Sequence, residues 1–467
     1  MTALTTTLTT ALTTALTSAP AGVPIPPTPS AASAAPALPI PPLGAHPLLL
    51  LLLQLGALLL TAVALGRLAV RWRMPAVVGE LCAGVILGPS VLHHAAPDLA
   101  TWLLPRDAEQ VHLLDAVGQV GVLLLVGITG SHLDLGLVRR RGATAAKVSL
   151  FGLVVPFALG VGAALLPTPL SSGSPDRTVF ALFLGVAMCV SAIPVIAKTL
   201  FDMNLLHRDI GQLTLVAGMV DDVFGWVMLS IVSVMATTGL HTHNVLLSVA
   251  YVLAVLAFAV LVGRPVVALV YRRVRVPSTV AAVTVTLILL AAAGTHALGL
   301  EAVFGAFVMG ILIGAWGKPD PGGIAPLRTV VLAVLAPVFF ATAGLRMDLT
   351  ALARPEILGA ALLVLAVAVA GKFAGAYAGA RLSRLSSWEA LALGAGMNAR
   401  GVIEVIVAMV GLRLGVLGPE TYTIIILVAV ATSLMAPPIL RLAMSRIAPT
   451  AEEGHRHAVG LATRPAG

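Results

Sequence analysis

The sequence predicts an all-α, polytopic membrane protein of about thirteen transmembrane helices folded as an inverted repeat. Three observations predict it. The chain is 58% hydrophobic and only 10% charged, whereas a soluble domain carries about a quarter of its residues charged to keep its surface wet. Apolar stretches long enough to cross a bilayer core of about 30 Å follow one another from Leu48 onward. A glycine pattern in the first half returns in the second.

Residues 1–46 are a Thr/Ala/Leu run followed by a Pro-rich stretch without Lys or Arg. A secretory signal needs a basic n-region, so a disordered tail is expected. Hydropathy and the Gly, Pro and Arg breaks place spans 1 to 7 at 47–67, 75–93, 110–130, 146–166, 178–200, 208–236 and 244–263. Spans 8 to 13 follow at 278–297, 300–316, 324–346, 356–380, 388–411 and 419–442. Spans 1 to 6 (47–236) form the first repeat, 237–277 a linker carrying span 7, and 278–442 the second repeat. The polar stretch 443–467 is a short cytoplasmic tail that leaves no room for a soluble regulatory domain.

Positive-inside bias orients this frame. With the N-terminus outside, the inside loops and C-terminal tail hold 21 of the 28 Lys and Arg residues and the outside loops hold 5. The expectation is therefore a cell-membrane protein with an external N-terminus and a cytoplasmic C-terminus. The net charge of +8 follows from those loop arginines, so no nucleic-acid partner is indicated. Cys82 and Cys189 lie in apolar stretches without CxxC or Cys/His spacing, which argues against both a disulfide framework and a zinc site.

Span 2 places Gly79, Gly84 and Gly88 at spacings of five and four, and span 9 places Gly305, Gly310 and Gly314 at the same spacings. Span 3 ends with Gly130 four residues before Asp134, and span 10 ends with Gly344 four residues before Asp348. Close helix packing alone explains each triplet. It does not explain the ordered recurrence. Spans 2 and 9 are an odd number apart, so the halves are expected upside down relative to one another, as in alternating-access transporters.

Charge inside the apolar runs marks the candidate site. Span 6 (QLTLVAGMVDDVFGWVMLSIV) carries Asp221 and Asp222 near its middle, where each carboxylate costs roughly 2.5–3.5 kcal/mol on insertion scales. Successive helical residues point about 100° apart, so one carboxylate can face a neighbouring helix and the other a cavity. Two such groups titrate as a coupled unit, the behaviour that exchange of protons for cations requires. Span 11 carries Lys372, the only lysine deep in an apolar run, as a partner for one aspartate; the competing reading is an amine that reaches the interface, as Lys147 can. Span 5 carries Ser191 and Pro194, where proline frees carbonyls. Span 12, its repeat partner, carries Asn398, Arg400, Gly401 and Glu404. Broken helices at matched positions are where ion sites form, although Arg400 and Glu404, four apart, also suit a local structural pair. His132, His296 and Glu301 are expected at the membrane interface.

These residues resemble the monovalent cation:proton antiporter-2 family, which includes bacterial sodium/proton antiporters, Kef-type potassium transporters and plant cation/proton exchangers. The resemblance covers roughly residues 47–442 and rests on GELCAGVILGPSVL, SAIPVIAK, the DD of VDDVFGW, the lysine of GKFAGAYAGA and GMNARGVIE. It implies a sodium/proton antiporter-like fold in which spans 4 to 6 and 11 to 13 form a core that slides against a dimerisation domain in a homodimer. It implies that Asp222 carries cation and proton, that Asp221 pairs with Lys372, and that Ser191 with nearby carbonyls lines the site. Pro194, Asn398, Arg400 and Glu404 would line the broken helices. Adjacent aspartates imply electrogenic exchange. Kef-type proteins carry a cytoplasmic nucleotide-binding domain for which this sequence leaves no room, which puts nucleotide gating in doubt.

The function expected is Na+ or K+ exchange for protons across a lipid bilayer, with no cofactor. A proton-coupled exporter of an organic compound or ionophore would carry the same machinery. A cation channel is a third reading, but no filter-like sequence is present. Neither HExxH nor Gly-x-Ser-x-Gly occurs, so an intramembrane enzyme is not expected.

Overall fold

The computed structural model describes residues 43–450, except 73, 106, 133–134, 167–169, 171–175, 204, 206, 240–241 and 275, together with residue 453. The expected tail, Asp134 and most of the C-terminal stretch lie outside the described residues. Among the described residues every regular element is helical: α1 (Ala45–Arg71), α2 (Ala76–Leu87), α3 (Ala108–Ser131), α4 (Leu135–Leu165), α5 (Arg177–Cys189), α6 (Ile193–Asp202), α7 (Asp209–Thr238) and α8 (Thr242–Phe258). There follow α9 (Arg264–Arg273), α10 (Pro277–Ala297), α11 (Ala302–Leu312), α12 (Pro321–Val330), α13 (Ala336–Leu345), α14 (Pro355–Leu382), α15 (Ser387–Met397), α16 (Val402–Arg413) and α17 (Pro419–Met444).

Ten helical runs are long and apolar enough to cross a membrane, and α15 with α16, bent by 45°, makes an eleventh. The thirteen spans expected from hydropathy are reached only by adding two shorter apolar helices, α5 and the run Ala302–Gly317. Hydropathy averages over a window and does not register where the backbone leaves the helix. Span 7 also differs. Its helix continues past residue 263 through a π-turn into α9, and Arg264 lies 5.3 Å from the centre of the Trp316 ring, which lets a cation stand at the end of an apolar helix. Leu60, Leu261 and Leu290 are each more than 60% exposed, an arrangement that only lipid solvates.

The glycines set the close crossings, and the two halves use them alike. A Cβ on Gly79 would stand 2.2 Å from Leu65 O on α1, and one on Gly305 2.3 Å from Ala291 O on α10. Gly84 would meet Ala341 O of α13 at 1.9 Å, and Gly310 would meet Gly127 O of α3 at 2.0 Å. Gly88 abuts Leu345 and Gly314 abuts Ser131. Only hydrogen fits at these places, so backbones touch and small residues replace the hydrophobic effect as the source of packing. Spans 2 and 10 therefore pack as spans 9 and 3 do.

Packing sorts the helices into two groups. In one, α4 lies along α5, α7 and α14, with α15 and α17 behind; in the other, α2 packs on α13 and α3 on α11, with α10 against α11. Local signals start several of these helices. The Asp176 side chain accepts from Thr178 N and Val179 N to open α5, and Ser386 with Glu389 forms a capping box at α15.

Candidate functional site

Two helices break inside the first group, face to face. Proline at 194 has no N–H to return to the carbonyl of Val190, so it cannot continue α5 and suits a first turn; the chain leaves α5 after Cys189 and restarts at Ile193. Pro194 is the second residue of α6; its side chain lies outside the described residues. The second break, at 398–401, separates α15 from α16. The strands between the half-helices cross, with Ala192 N donating to Ala399 O at 3.1 Å and Ser191 Oγ to Met397 O at 2.7 Å.

Three of the four half-helix ends at the crossing meet charge of the sign their dipole favours, and the fourth, the C-terminus of α15, meets the Ser191 hydroxyl at Met397 O. At the C-terminus of α5, Lys372 Nζ donates to Cys189 O at 2.5 Å, and Arg400 donates to Ala187 O at 3.0 Å and Met188 O at 2.6 Å. At the N-terminus of α6, the Ile193 N–H bonds the carboxyl group of Asp222. At the N-terminus of α16, Glu404 sits in the first turn and takes a short bond from Arg400. Arg400 also reaches Ala368 O of α14 at 3.1 Å, and Ser433 Oγ donates to Arg400 O.

The two aspartates have different surroundings. Both oxygens of Asp221 have partners: Oδ2 receives Lys372 Nζ at 2.6 Å and lies 2.9 Å from Ser191 Oγ, whose single proton it shares with Met397 O, and Oδ1 receives Ser149 Oγ at 2.6 Å. Lys372 fills its third donor with Gly152 O at 3.0 Å. Asp222 is just as buried, at 1% exposure, but among the described residues it has no ion-pair partner and its Oδ1 has no hydrogen-bond partner. Both amide atoms of Asn398 and Glu404 Oε2 are likewise buried without partners. Such atoms in a low-dielectric interior are costly unless a ligand or water satisfies them.

The structure thus gathers Asp221, Asp222, Lys372, Ser191, Asn398, Arg400 and Glu404 around one crossing of broken helices. Sequence reasoning missed Ser149 and Ser433, single hydroxyls in apolar helices that no spacing distinguishes. Glu301 stands at the start of α11. It is buried, and its carboxylate takes Arg413 Nη2 at 3.0 and 2.8 Å, a partner distant in sequence at the end of α16. His132, His296 and Lys147 are exposed. Among the described residues no cluster of three or more His, Cys, Asp or Glu suits a tightly held metal.

Comparison with known proteins agrees with this geometry. The transmembrane sodium/hydrogen exchanger family model matches residues 56–446. The Na+/H+ antiporter NhaS4 of Synechocystis sp. is 31% identical over 404 residues, covering 84% of this chain and 97% of that protein. Cation/H+ antiporter 19 of Arabidopsis thaliana is 30% identical over 79% of this chain, which spans only 46% of that relative's length; the other plant relatives are also about twice as long as the part matched. The solved structure of the sodium proton antiporter MjNhaP1 from Methanocaldococcus jannaschii at pH 8 has the same fold, with a TM-score of 0.64 at 15% identity over 85% of this chain and 99% of that one. With most of its length matched by the family model and a full-length relative at this identity, the chain belongs to the sodium/hydrogen exchanger family of monovalent cation:proton antiporters.

Proposed function

We propose that the protein exchanges a monovalent cation, Na+ or K+, for protons by alternating access, with cation and protons competing for the Asp222 carboxylate. The observation that carries this reading is the contrast within the pair: both oxygens of Asp221 have partners, while Asp222, next to it, offers a buried oxygen with no partner among the described residues. With all groups ionised, Asp221, Asp222 and Glu404 exceed Lys372 and Arg400 by one negative charge. One bound cation or one proton makes the site neutral, and neutrality is what a charged cluster needs to move through a low-dielectric barrier. Asn398 Oδ1 is a second free oxygen for a partly dehydrated cation, and Lys372, Ser149 and Ser191 keep Asp221 fixed.

The names of the relatives support both cargoes: NhaS4 is a Na+/H+ antiporter, and GerN of Bacillus cereus, 27% identical over 83% of this chain, is a Na+/H+-K+ antiporter. In this reading the group containing α4 to α7 and α14 to α17 carries the site and slides against the other group, which pairs two copies into a homodimer. The repeat boundaries given above and the placement of the C-terminus in the cytoplasm belong to the same proposal. Reconstituted protein with an imposed pH gradient tests it. Na+ or K+ should dissipate the gradient, and Asp222→Asn should abolish the response; a gradient untouched by either ion removes the cation assignment.

A further inference from the structure

Along α7, four buried polar atoms find no partner among the described residues: Asp222 Oδ1, Trp226 Nε1, Ser230 Oγ and Ser233 Oγ. At about 100° per residue, their spacings of four, four and three place all four in one arc of about 80°. Thr237 falls in the same arc at the end of the helix and is exposed. From Asp222 to Thr237 no other residue falls within it, so every side chain of the arc carries a polar atom. Hydroxyls in apolar helices ordinarily return to the carbonyl three or four residues back, as Thr214 and Thr237 do on this helix. Ser230 and Ser233 do not.

This file faces the seam between the two helix groups. The Trp226 ring lies 6.0 Å from Phe307 of α11, which belongs to the other group. Toward the end of α7 marked by Thr237, the seam is closed by two further contacts between the groups: Arg413 with Glu301, and Tyr422 Oη donating to Ala343 O at 2.7 Å. The opposite membrane face is open. There a cavity of about 790 Å³ separates Val70, Met74 and Pro75 from Thr199, Met203 and Arg441. The unpartnered file therefore occupies the closed half of the seam. A permanent packing surface gains nothing from unpaired polar atoms, whereas a surface that is periodically hydrated needs them.

We propose that the Trp226, Ser230, Ser233 and Thr237 face of α7 lines the second access path to Asp222, the one sealed here, and that the three hydroxyl oxygens stand in for hydration water, with the Trp226 N–H donating to water in the path, as a cation or proton passes between Asp222 and the membrane face where Glu301 and Arg413 meet. The proposal rests on the reading of Asp222 as the exchange site. Positive-inside bias assigns that face to the outside.

The test is side-specific thiol modification of Ser230→Cys and Ser233→Cys in vesicles of defined orientation. A membrane-impermeant thiol reagent is applied to one face at a time, and modified peptides are read by mass spectrometry, so Cys82 and Cys189 can stay. Both cysteines should react about tenfold faster from the Glu301/Arg413 face than from the cavity face, and Met228→Cys, on the opposite side of α7, should show no such preference. Modification only from the cavity face, or from neither face in vesicles that still exchange cations, overturns the path. Labelling reads water access whatever is transported, so it stands apart from the Asp222→Asn exchange measurement, whose failure would remove the exchange site and not the path. Should the cysteine variants fail to fold, Trp226→Phe with Ser230→Ala and Ser233→Ala supplies a second reading. That variant should melt at a higher temperature than the parent while exchanging about tenfold more slowly, and undiminished exchange overturns the proposal.

Discussion

Lys372 and Asp221 show how far one side chain can matter when both charges are out of water. Their side chains are fully buried at 2.6 Å, and the amine also holds the end of α5 through Cys189 O. Removing the amine alone strands a carboxylate, so Lys372→Met should lower stability by about 3–5 kcal/mol, seen as a reduced melting temperature in detergent. Adding Asp221→Asn should recover a good part of the loss, because the stranded charge goes with it. The same logic separates the two aspartates. Asp222→Asn removes no ion pair and should leave the stability within about 1 kcal/mol of the parent, read from thermal melting, while exchange is lost, so a collapse in stability would mark Asp222 as structural.

At the level of helices, the glycines divide into those that carry a crossing and those that do not. Gly84 and Gly310 place hydrogen against backbone carbonyls, where an added Cβ would come within 2.0 Å, and backbone cannot step aside as a flexible side chain can. Gly84→Ala and Gly310→Ala should each destabilise by more than about 3 kcal/mol, and both should do so equally if the two halves are equivalent. Gly56 and Gly118 have nothing within 4 Å of an added Cβ. Alanine there should be neutral or stabilising by about 0.5–1 kcal/mol, because a helical glycine costs conformational entropy. Thermal melting of the four variants checks both statements. The triplet spacing was legible in the sequence because it repeats; which carbonyl each glycine admits was not, since the partners lie on other helices.

For the whole molecule, the proposed alternating-access cycle makes the open cavity on one face and the closed seam on the other one end of a two-state equilibrium. Glu301 and Arg413 join the groups at the closed face, with Arg413 48% exposed. A half-solvated pair contributes only about 0.5–1 kcal/mol, so Arg413→Gln should raise the population open to that face about two- to fivefold. Faster reaction of a cysteine at Ser233 from that face measures the shift; an unchanged rate means that the pair does not hold the seam. Reading Glu301 as interfacial did not reveal its partner, for an instructive reason. Its place next to a span end is local information, whereas its burial comes from an arginine more than a hundred residues later.

Composition and pattern by themselves determined the class of molecule, the order of its apolar elements, the recurrence between its halves and the short roster of intramembrane charges, because each follows from what lipid permits along a single chain. The resemblance already paired Asp221 with Lys372; tertiary structure alone decided that Ser149 serves the pair, that Asp222 Oδ1 has no partner among the described residues, and that one face of α7 is left unsatisfied. Those distinctions depend on distances of about 3 Å between atoms far apart in sequence, and the hydrogen bonds and desolvation that set them exist only once the helices have packed.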